Sequence, residues 1–377
     1  MNAGDSEAIK SERLAEIALK KHGYILQKTL GSGGYSIVYL ARSRKYNSDF
    51  AIKQIRPKNN FRLDAALQEL HTIMSLNHPN IIRIFNYFIE SSNLYLVFEY
   101  CPGGSIQDII DNSSLTLSKK KLIRYFRQIV EAIHFCQSKN IAHHDIKPGN
   151  ILLDTYDRPK LADFGLSFKY ETQEAFSMNF DGSLQFMAPE LISRVAYDPF
   201  KADIWSLGIT FYMMISKTSP WNYTTSNPTN KEELQKAIVE GNIMYPPTMK
   251  KKFVELLKKM LVVDISQRAT MNDLLESFLF DEGNLSLDAR STPSFISSSV
   301  TLLSDDSMKL SKMKLITNIS DDKIFVPGKE EPPANYSYHQ FPRTFKHMLL
   351  SEMNMSKGRR QASLRTFSNI DTFSDVV

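Results

Sequence analysis

The chain has 377 residues, of which 42% are hydrophobic and 23% charged, and its formal net charge is +5, a balance typical of an ordinary globular protein that does not by itself indicate nucleic-acid binding. Its two cysteines, Cys101 and Cys136, lie in unlike contexts, which argues against a disulfide framework or a zinc site and favours a reducing compartment. No apolar run approaches the roughly 18 to 20 residues of a membrane span and the charged start is unlike a secretory signal, so we expect no membrane association and a cytoplasmic location, with the nucleus as the open alternative.

The first predicted element is a short amphipathic helix over residues 6–21, in which Ile9, Leu14, Ile17 and Ala18 recur at helical spacing between charged residues. The hydrophobic period then changes, and residues 24–100 contain one helical stretch, 63–76, among short β-prone runs. These runs lie at residues 24–30, 37–42, 50–55 and 94–100. We therefore expect an N-terminal extension, residues 1–23, followed by a small, mainly antiparallel sheet with one main helix.

From residue 101 to about 280 the pattern is mostly helical, with apolar side chains three and four residues apart. The predicted helices lie at residues 118–139, 202–216, 230–241, 251–263 and 270–280. Residues 281–377 contain 16 serines and only brief apolar runs, which predicts a mostly disordered tail. The predicted fold class is therefore α+β, with a smaller and a larger lobe joined at residues 99–102.

The first motif is the glycine-rich stretch "LGSGGYSIVYL", residues 30–40, between two predicted strands. Glycines at this spacing let backbone amides approach a phosphate group without side-chain obstruction, so the stretch is a candidate nucleotide-binding loop. A plain hairpin turn is the alternative, because Ser36 stands where a third glycine would be. The candidate residues are Leu30, Gly31, Ser32, Gly33, Gly34 and Val38.

The second motif is Lys53 in the predicted strand "FAIKQI", followed 16 residues later by Glu69 on the predicted helix. A lysine in a strand is usually a solvent-facing residue, and that is the alternative interpretation. A lysine held by a helix glutamate can instead clamp the α- and β-phosphates of a nucleotide.

The third motif, "HHDIKPGNILL", places Asp145, Lys147 and Asn150 within six residues, which indicates a structured loop before a strand. Asp145 can accept a hydroxyl proton or orient the attacking oxygen, Lys147 can neutralise a transferring phosphoryl group, and the amide oxygen of Asn150 can ligate a hard cation. In the fourth motif, "KLADFGLSF", Asp163 is a second candidate Mg²⁺ ligand. Any one of these polar residues could instead be an ordinary loop residue that caps a turn. All of them together, in this order along the chain, are not explained in that way.

Taken in order, these motifs resemble the eukaryotic protein kinase family over about residues 24–280, and "DIKPGN" resembles its serine/threonine branch. Residues 100–105, 182–190 and 203–221 look most like the calmodulin-dependent and AMP-activated kinase group. The resemblance implies the two-lobed protein kinase fold, protein substrates, and ATP with Mg²⁺ as cofactors, Mn²⁺ being the alternative metal. The matching positions are Gly31, Gly33, Glu69 and the segments 51–53, 143–150, 163–165, 188–190 and 203–208.

The resemblance also implies how a nucleotide would bind. Glu99 and Cys101 would present backbone groups of the hinge to the adenine, beside the bulky Phe98. Three apolar residues would sandwich the ring: Val38, Ala51 and Leu152.

Further implied roles concern the substrate and the fold. Ser183 would belong to the substrate platform near Asp145 and Lys147. Glu190 would pair with Arg268 in a buried contact that holds the fold, and His143 would prop its loop against Phe164.

Two positions depart from the family pattern and bear on regulation. His144 stands where most regulated kinases carry an arginine that clamps a phosphate on the activation segment, residues 163–190, and a neutral imidazole is a poorer clamp. Asn179 stands three residues before Gly182, where the phosphorylated residue usually lies. We therefore predict activity without phosphorylation of this segment, with Ser177 and Thr172 as alternative sites.

The positions that commonly select basic substrates are not acidic here, since they are Ser105, Gly149 and Met213. Only Asp108 remains as a candidate, so a preference for arginine before the target residue is in doubt. For the whole chain, the alternative is a catalytically weak, kinase-like scaffold that acts through protein binding. Such scaffolds usually lack the equivalents of Lys53, Asp145 or Asp163, and all three are present here.

In the tail, Ser363 and Ser368 each follow an arginine by three residues. They are candidate targets of a basophilic kinase, with plain disordered sequence as the alternative. Regulation by a tail that folds back over the cleft is a further hypothesis, and the sequence says nothing about oligomeric state.

Overall fold

The computed structural model of the chain describes residues 3–33, 36–56, 60–171, 177, 182–223 and 231–277, the side chains of 3–11 and 60–65 excepted. The described residues within 1–87 and 94–286 form one compact unit. Of a second unit only Phe88–Asn93 are described, and there Ser91 and Ser92 form a turn with φ of 50° and 62°. Several predictions concern positions outside the described residues: Gly34, Thr172, Asn179, Ser363, Ser368 and the tail, 281–377.

The smaller lobe is built on a five-stranded sheet with the strand order β1-β2-β3-β5-β4. The pairs β1–β2, β2–β3 and β3–β5 are antiparallel, as predicted. Their register places Lys53 on β3 opposite Val38 on one side and Leu96 on the other. The elements of this lobe are α1 (Ala3–Lys21), β1 (Tyr24–Ser32), β2 (Ser36–Ser43), β3 (Asp49–Ile55), α2 (Asn60–Ser75), β4 (Ile84–Glu90) and β5 (Asn93–Glu99).

Strand β4 is the one strand of this sheet that the sequence pattern does not predict. It stands last in the strand order, and its residues 84–87 are all half-buried. A strand that is partly buried on both faces lacks the alternation of apolar and polar residues on which strand prediction depends.

Helix α1 confirms the predicted helix but presents a different face to the sheet. Ala15, Ala18 and Leu19 are at most 3% exposed, whereas Leu14 and Ile17 are 58% and 61% exposed. The helix packs against β1, and the small alanines on the buried face allow close approach. Of the four residues expected on the apolar face, Ala18 is buried, Leu14 and Ile17 are exposed, and the side chain of Ile9 lies outside the described part of the chain.

The larger lobe is mostly helical within its described residues, with α6 buried at its centre. Asp198 begins this helix by accepting hydrogen bonds from two backbone N–H groups of the first turn, and Pro199 follows with the φ that a first helical position needs. Phe211 of α6 stacks on Phe126 of α4, with ring centroids 3.6 Å apart. The helices are α3 (Ile106–Asp111), α4 (Lys119–Ser138), α5 (Pro189–Ile192), α6 (Pro199–Ser216), α7 (Lys231–Glu240), α8 (Lys251–Met260) and α9 (Met271–Leu275).

Two pairs of short antiparallel strands connect α4 to α5. β6 (Ile141–Ala142) pairs with β9 (Phe168–Lys169), and β7 (Ile151–Leu153), the strand predicted after the third motif, pairs with β8 (Pro159–Leu161). The loop 143–150 leaves β6 and enters β7, while the loop 162–167 leaves β8 and enters β9. The strand pairing therefore brings the third and fourth motifs side by side.

None of the described helices combines the length and the apolar character that crossing a bilayer requires.

Candidate active site

A cavity of about 750 Å³ is lined by β1–β3, by the segment that follows β5, and by the loops next to β7 and β8. This volume lies within the range of pockets that hold small-molecule ligands. Every described residue of the predicted nucleotide set lines it, and Glu69, Asn150 and Asp163 line it as well. The nucleotide set comprises Leu30, Gly31, Ser32, Gly33, Val38, Ala51, Lys53, Glu99, Cys101 and Leu152.

Lys53 connects three distant parts of the chain inside this cavity. Its Nζ lies 2.6 Å from Glu69 Oε1 on α2 and 2.9 Å from Asp163 Oδ1. Burial alone would lower the pKa of Lys53, but the two carboxylates outweigh burial and raise that pKa above its ordinary value. For Asp163 the signs are reversed. Burial alone would raise the pKa of its carboxyl group, but the positive charge of Lys53 outweighs burial and lowers that pKa below its ordinary value. Both groups are therefore ionised at neutral pH.

Asp145 is held on both carboxylate oxygens. Its Oδ2 accepts from Lys147 Nζ at 2.7 Å and from Asn150 Nδ2 at 2.9 Å, and its Oδ1 accepts from Ser183 Oγ at 3.0 Å. Lys147 Nζ also donates to Ser183 Oγ at 3.0 Å. The structure thus brings Asp145, Lys147, Asn150 and the predicted platform residue Ser183 into one hydrogen-bonded group.

The backbone of the loop 143–150 is held by hydrogen bonds to Asp203 on α6. Asp203 accepts the backbone N–H of His143 at 2.7 Å and that of His144 at 2.9 Å. Burial raises the pKa of Asp203 to about 7, although these two donors favour the charged carboxylate. The His143 ring meets the Phe164 ring edge-on at 4.7 Å, which confirms the predicted contact between the two motifs.

The hinge contains an ion pair that the sequence reasoning missed. Glu99 Oε1 accepts from Lys160 Nζ of β8 at 3.0 Å and from the backbone N–H of Arg83 at 2.8 Å. The Glu99 N–H donates to the Arg83 carbonyl at 2.9 Å, so this N–H is already engaged within the protein. Burial raises the pKa of the neighbouring Cys101 thiol to about 12, which keeps that thiol neutral. The lysine in the apolar run "RPKLADF" was the available signal for this pair.

Glu190 and Arg268 form the predicted buried pair. The guanidinium donates to the two carboxylate oxygens at 2.7 and 2.9 Å, and both side chains are almost completely buried, at 4% and 0% exposed. Arg268 also donates to the carbonyls of Val262 and Lys201. This contact joins α5 to the loop before α9 and lies outside the cavity.

Of the predicted regulatory residues, His144 and Ser177 are described, and both are buried. His144 is 9% exposed, and burial together with the neighbouring His143 lowers its pKa to about 4, so the imidazole is neutral in cytosol-like conditions. Ser177 is 5% exposed and pairs through its backbone with Tyr197. The absence of a charged clamp at position 144 follows from its burial as well as from its residue type.

The side chains in the cavity fit a nucleotide with a divalent cation. A Cβ at Gly31 would meet nothing within 4 Å, so its backbone faces open space. The Ala162 N–H donates to the Asn150 carbonyl at 2.8 Å, which places Asn150 beside Asp163. Asn150 uses its Nδ2 for Asp145, so its amide oxygen is the atom left for a cation. No cluster of three His, Cys, Asp or Glu suited to a metal occurs among the described residues, and phosphate oxygens would complete the shell that Mg²⁺ prefers.

Comparison with known proteins agrees with this geometry. The family model described as "Protein kinase domain" matches residues 24–280. CBL-interacting serine/threonine-protein kinase 12 of Arabidopsis thaliana is 30% identical over 282 residues, covering 73% of this chain and 56% of that protein. Probable serine/threonine-protein kinase MARK-A of Dictyostelium discoideum is 35% identical over 259 residues, covering 67% of this chain and 23% of that protein. CBL-interacting serine/threonine-protein kinase 15 of Arabidopsis thaliana is 31% identical over 265 residues, covering 69% of this chain and 61% of that protein.

The chain thus spans less than two thirds of each of these relatives, and the match fills most of the chain itself. The chain belongs to the protein kinase family.

Proposed function

We propose that this chain is a serine/threonine protein kinase that transfers the γ-phosphoryl group of ATP to hydroxyl groups of protein substrates with the help of Mg²⁺. The observation that carries the proposal is the double contact of Lys53 with Glu69 and Asp163 beside the anchored carboxylate of Asp145. A lysine held in this way can position nucleotide phosphates next to a group that receives the substrate hydroxyl. The similarity to proteins named serine/threonine kinases supports the substrate class.

In this mechanism Asp145 is the group that faces the substrate hydroxyl. Lys147 and Ser183 hold its two oxygens, so the carboxylate has one orientation. It orients the hydroxyl and accepts its proton while the hydroxyl oxygen forms the new bond to phosphorus and the ADP oxygen leaves with the bonding electrons. The ammonium group of Lys147 lies where it can offset the negative charge of the transferring group.

Asn150 and Asp163 would hold the cation, and Lys53 would orient the phosphates. Mg²⁺, when bound, neutralises phosphate charge and templates the in-line geometry. Because Lys53 contacts only the Oδ1 atom of Asp163, the other carboxylate oxygen is left for this purpose. The ion pair therefore orients Asp163 without using all of its ligand capacity.

We further propose that the enzyme does not require phosphorylation of its activation segment. The support is that His144 is buried and neutral, so it offers a phosphate no charge. Treatment of the purified protein with a phosphatase should leave its rate within about twofold of the untreated rate. A Thr172→Ala variant is expected to behave in the same way. A loss of tenfold or more in either would contradict this part of the proposal.

The central experiment measures transfer from labelled ATP to a degenerate peptide array. Asp145→Asn should lower kcat by about 10² to 10⁴-fold while nucleotide binding persists, because the variant loses the proton acceptor and keeps the cavity. Asp163→Asn should weaken Mg²⁺-dependent transfer by a similar factor. Asp111→Asn on the exposed end of α3 is the matched control and should have no effect. Absence of transfer in the wild type would favour the scaffold alternative, whereas full transfer in Asp145→Asn would contradict the role proposed for Asp145.

Asp108 adds little to recognition of basic substrates. Its Oδ2 accepts from the Ser105 N–H at 2.7 Å and from the Ser105 hydroxyl at 2.8 Å, so the carboxylate caps α3. We therefore expect the peptide array to show no strong preference for arginine before the target residue.

The remaining parts of the proposal concern the domain layout and regulation. We assign residues 24–280 to the catalytic domain, 1–23 to an N-terminal extension and 281–377 to a tail, an assignment that the family match over 24–280 supports. Both cysteines are free, buried thiols, which supports a reducing compartment. If deletion of residues 286–377 changes neither the rate nor the peptide affinity, regulation by the tail is excluded.

A further inference from the structure

The side chain of His144 points into a polar cluster that involves the activation segment. Its Nε2 lies 3.0 Å from the Tyr170 hydroxyl, and its ring meets the Tyr197 ring edge-on with centroids 6.5 Å apart. The backbone at His144 has a φ of 66° and is fastened by Asp203, so the ring direction is fixed by the loop. His144 therefore connects the catalytic loop to Tyr170 within the activation segment and to Tyr197 beyond its end.

Ser177 is the junction of this cluster. Its backbone N–H donates to the Tyr197 carbonyl at 2.8 Å, and the Tyr197 N–H donates back to the Ser177 carbonyl at 3.2 Å. Its side chain hydrogen-bonds with both phenols, those of Tyr170 and Tyr197. We refer to His144, Tyr170, Ser177 and Tyr197 as the His144 cluster.

The His144 cluster is uncharged, and the acidic groups that act on its tyrosines include the carboxyl groups of Asp203 and Asp198. Burial raises the pKa of Tyr170 and raises that of Tyr197 to about 12, so both phenols keep their protons at neutral pH. The nearby carboxylates push these pKa values in the same direction, Asp203 for both tyrosines and Asp198 for Tyr170. A phosphate in this place would be a dianion beside carboxylates and a neutral imidazole, which is an unfavourable site for it.

We propose that the His144 cluster positions the activation segment against the catalytic loop in its unmodified state, and that negative charge at Ser177 lowers activity instead of raising it. The proposal rests on the kinase activity proposed above and deepens its regulation. The cluster is connected to Asp145 in two ways. His144 is the residue before Asp145 in the chain, and Ser177 lies six residues before Ser183, whose hydroxyl donates to Asp145. The four residues are positioning residues, since none of them lines the nucleotide cavity.

The test compares single-turnover and steady-state kinetics of four variants with the wild type. Ser177→Ala and Tyr170→Phe each remove one hydroxyl and should lower kcat by about 3- to 10-fold, with the ATP KM unchanged within about twofold. Ser177→Thr retains a hydroxyl and should recover most of the wild-type kcat. Ser177→Glu should be the weakest, with kcat lowered by about 50-fold or more, because it buries a charge among cluster partners that supply no cation in the described contacts.

The matched control is Ser193→Glu, which adds the same charge at an exposed position just after α5 and should retain wild-type kinetics. An activating modification site would give the opposite order, with the glutamate variant at or above wild-type activity, and that result overturns the proposal. Wild-type kcat in Tyr170→Phe also overturns it, and this variant decides the matter if Ser177→Glu does not fold.

Amide hydrogen exchange separates this proposal from the proposed function, since it needs no catalysis. The backbone N–H groups of Ser177 and Tyr197 should exchange at least about tenfold faster in Ser177→Ala than in the wild type, because their paired hydrogen bonds lose the side-chain anchor. Unchanged exchange overturns the positioning role. If the wild type transfers no phosphoryl group, the proposed function fails, and the exchange result still decides whether the cluster holds the segment.

Discussion

Acidic pH should destabilise the protein through His144 by an amount that follows from its burial. Burial, with a smaller effect of His143, lowers the pKa of His144 from 6.5 to about 4. Below pH 6.5 the unfolded chain therefore binds a proton at this histidine, while the folded chain does not until about pH 4. Because the unfolded state binds more protons in this window, the free energy of unfolding falls as the pH drops from 6.5 toward 4.

The magnitude follows from these two pKa values. At pH 5 the extra proton binding by the unfolded state lowers the free energy of unfolding by about 2 kcal/mol, and at pH 7.5 by less than about 0.1 kcal/mol. His144→Asn removes the titration, and asparagine tolerates the φ of 66° at this position. Between pH 7.5 and pH 5.0 the wild type should therefore lose about 2 kcal/mol more stability than the variant. The effects of Asp203 and other groups occur in both proteins and cancel in the comparison.

Urea unfolding followed by tryptophan fluorescence measures this difference, because Trp205 and Trp221 are both at most 1% exposed. Tyr170→Phe is the control. It removes the hydrogen-bond partner of His144 but leaves the ring buried, so it should retain the wild-type dependence on pH. Equal losses of stability in the wild type and in His144→Asn would refute the reasoning, since they would mean that His144 has the same pKa in the folded and unfolded chain.

Three further predictions concern stability and the metal. Arg268→Ala leaves the Glu190 carboxylate buried and unpaired and should lower the free energy of unfolding by about 3 to 5 kcal/mol. Arg268→Lys should lose less. Equal urea midpoints of the wild type and Arg268→Ala would contradict this prediction. Gly208→Ala should cost about 1 to 3 kcal/mol because its Cβ would lie 2.7 Å from a Leu261 methyl, whereas Gly149→Ala meets open space and should melt as the wild type does. Chelation of divalent cations should abolish phosphoryl transfer and leave the urea midpoint unchanged, and transfer that survives chelation would argue against Asn150 and Asp163 as a required cation site.

Most of the site could be predicted because its chemistry imposes residue types in a recognisable order. Lys53, Glu69, Asp145 and Asp163 stand in short motifs that phosphoryl transfer requires. Lys53, Glu69 and Asp163 line one cavity, and Asn150, which lines it too, donates to Asp145. The main elements could be predicted for a related reason, since helices such as α4 carry a clear apolar period. Strand β4 could not, because partial burial on both faces erases that period.

The contacts that short motifs do not contain were beyond prediction. The pair of Glu99 and Lys160 joins residues 61 positions apart in the chain, which no short motif links. The exposed Leu14 and Ile17 were expected on the apolar face of α1, and which face of a helix is buried depends on the surface that it meets.

His144 shows where the boundary lies for this protein. Its residue type alone indicated that the phosphate clamp is missing, because an imidazole lacks the permanent charge of a guanidinium. What surrounds it could be decided only by the folded chain, which brings Tyr170, Ser177 and Tyr197 to it from 26 to 53 residues away. Chemistry that is local in the chain can be read from residue types and spacing, whereas burial, pKa and hydrogen-bond partners are properties of segments that meet only after folding.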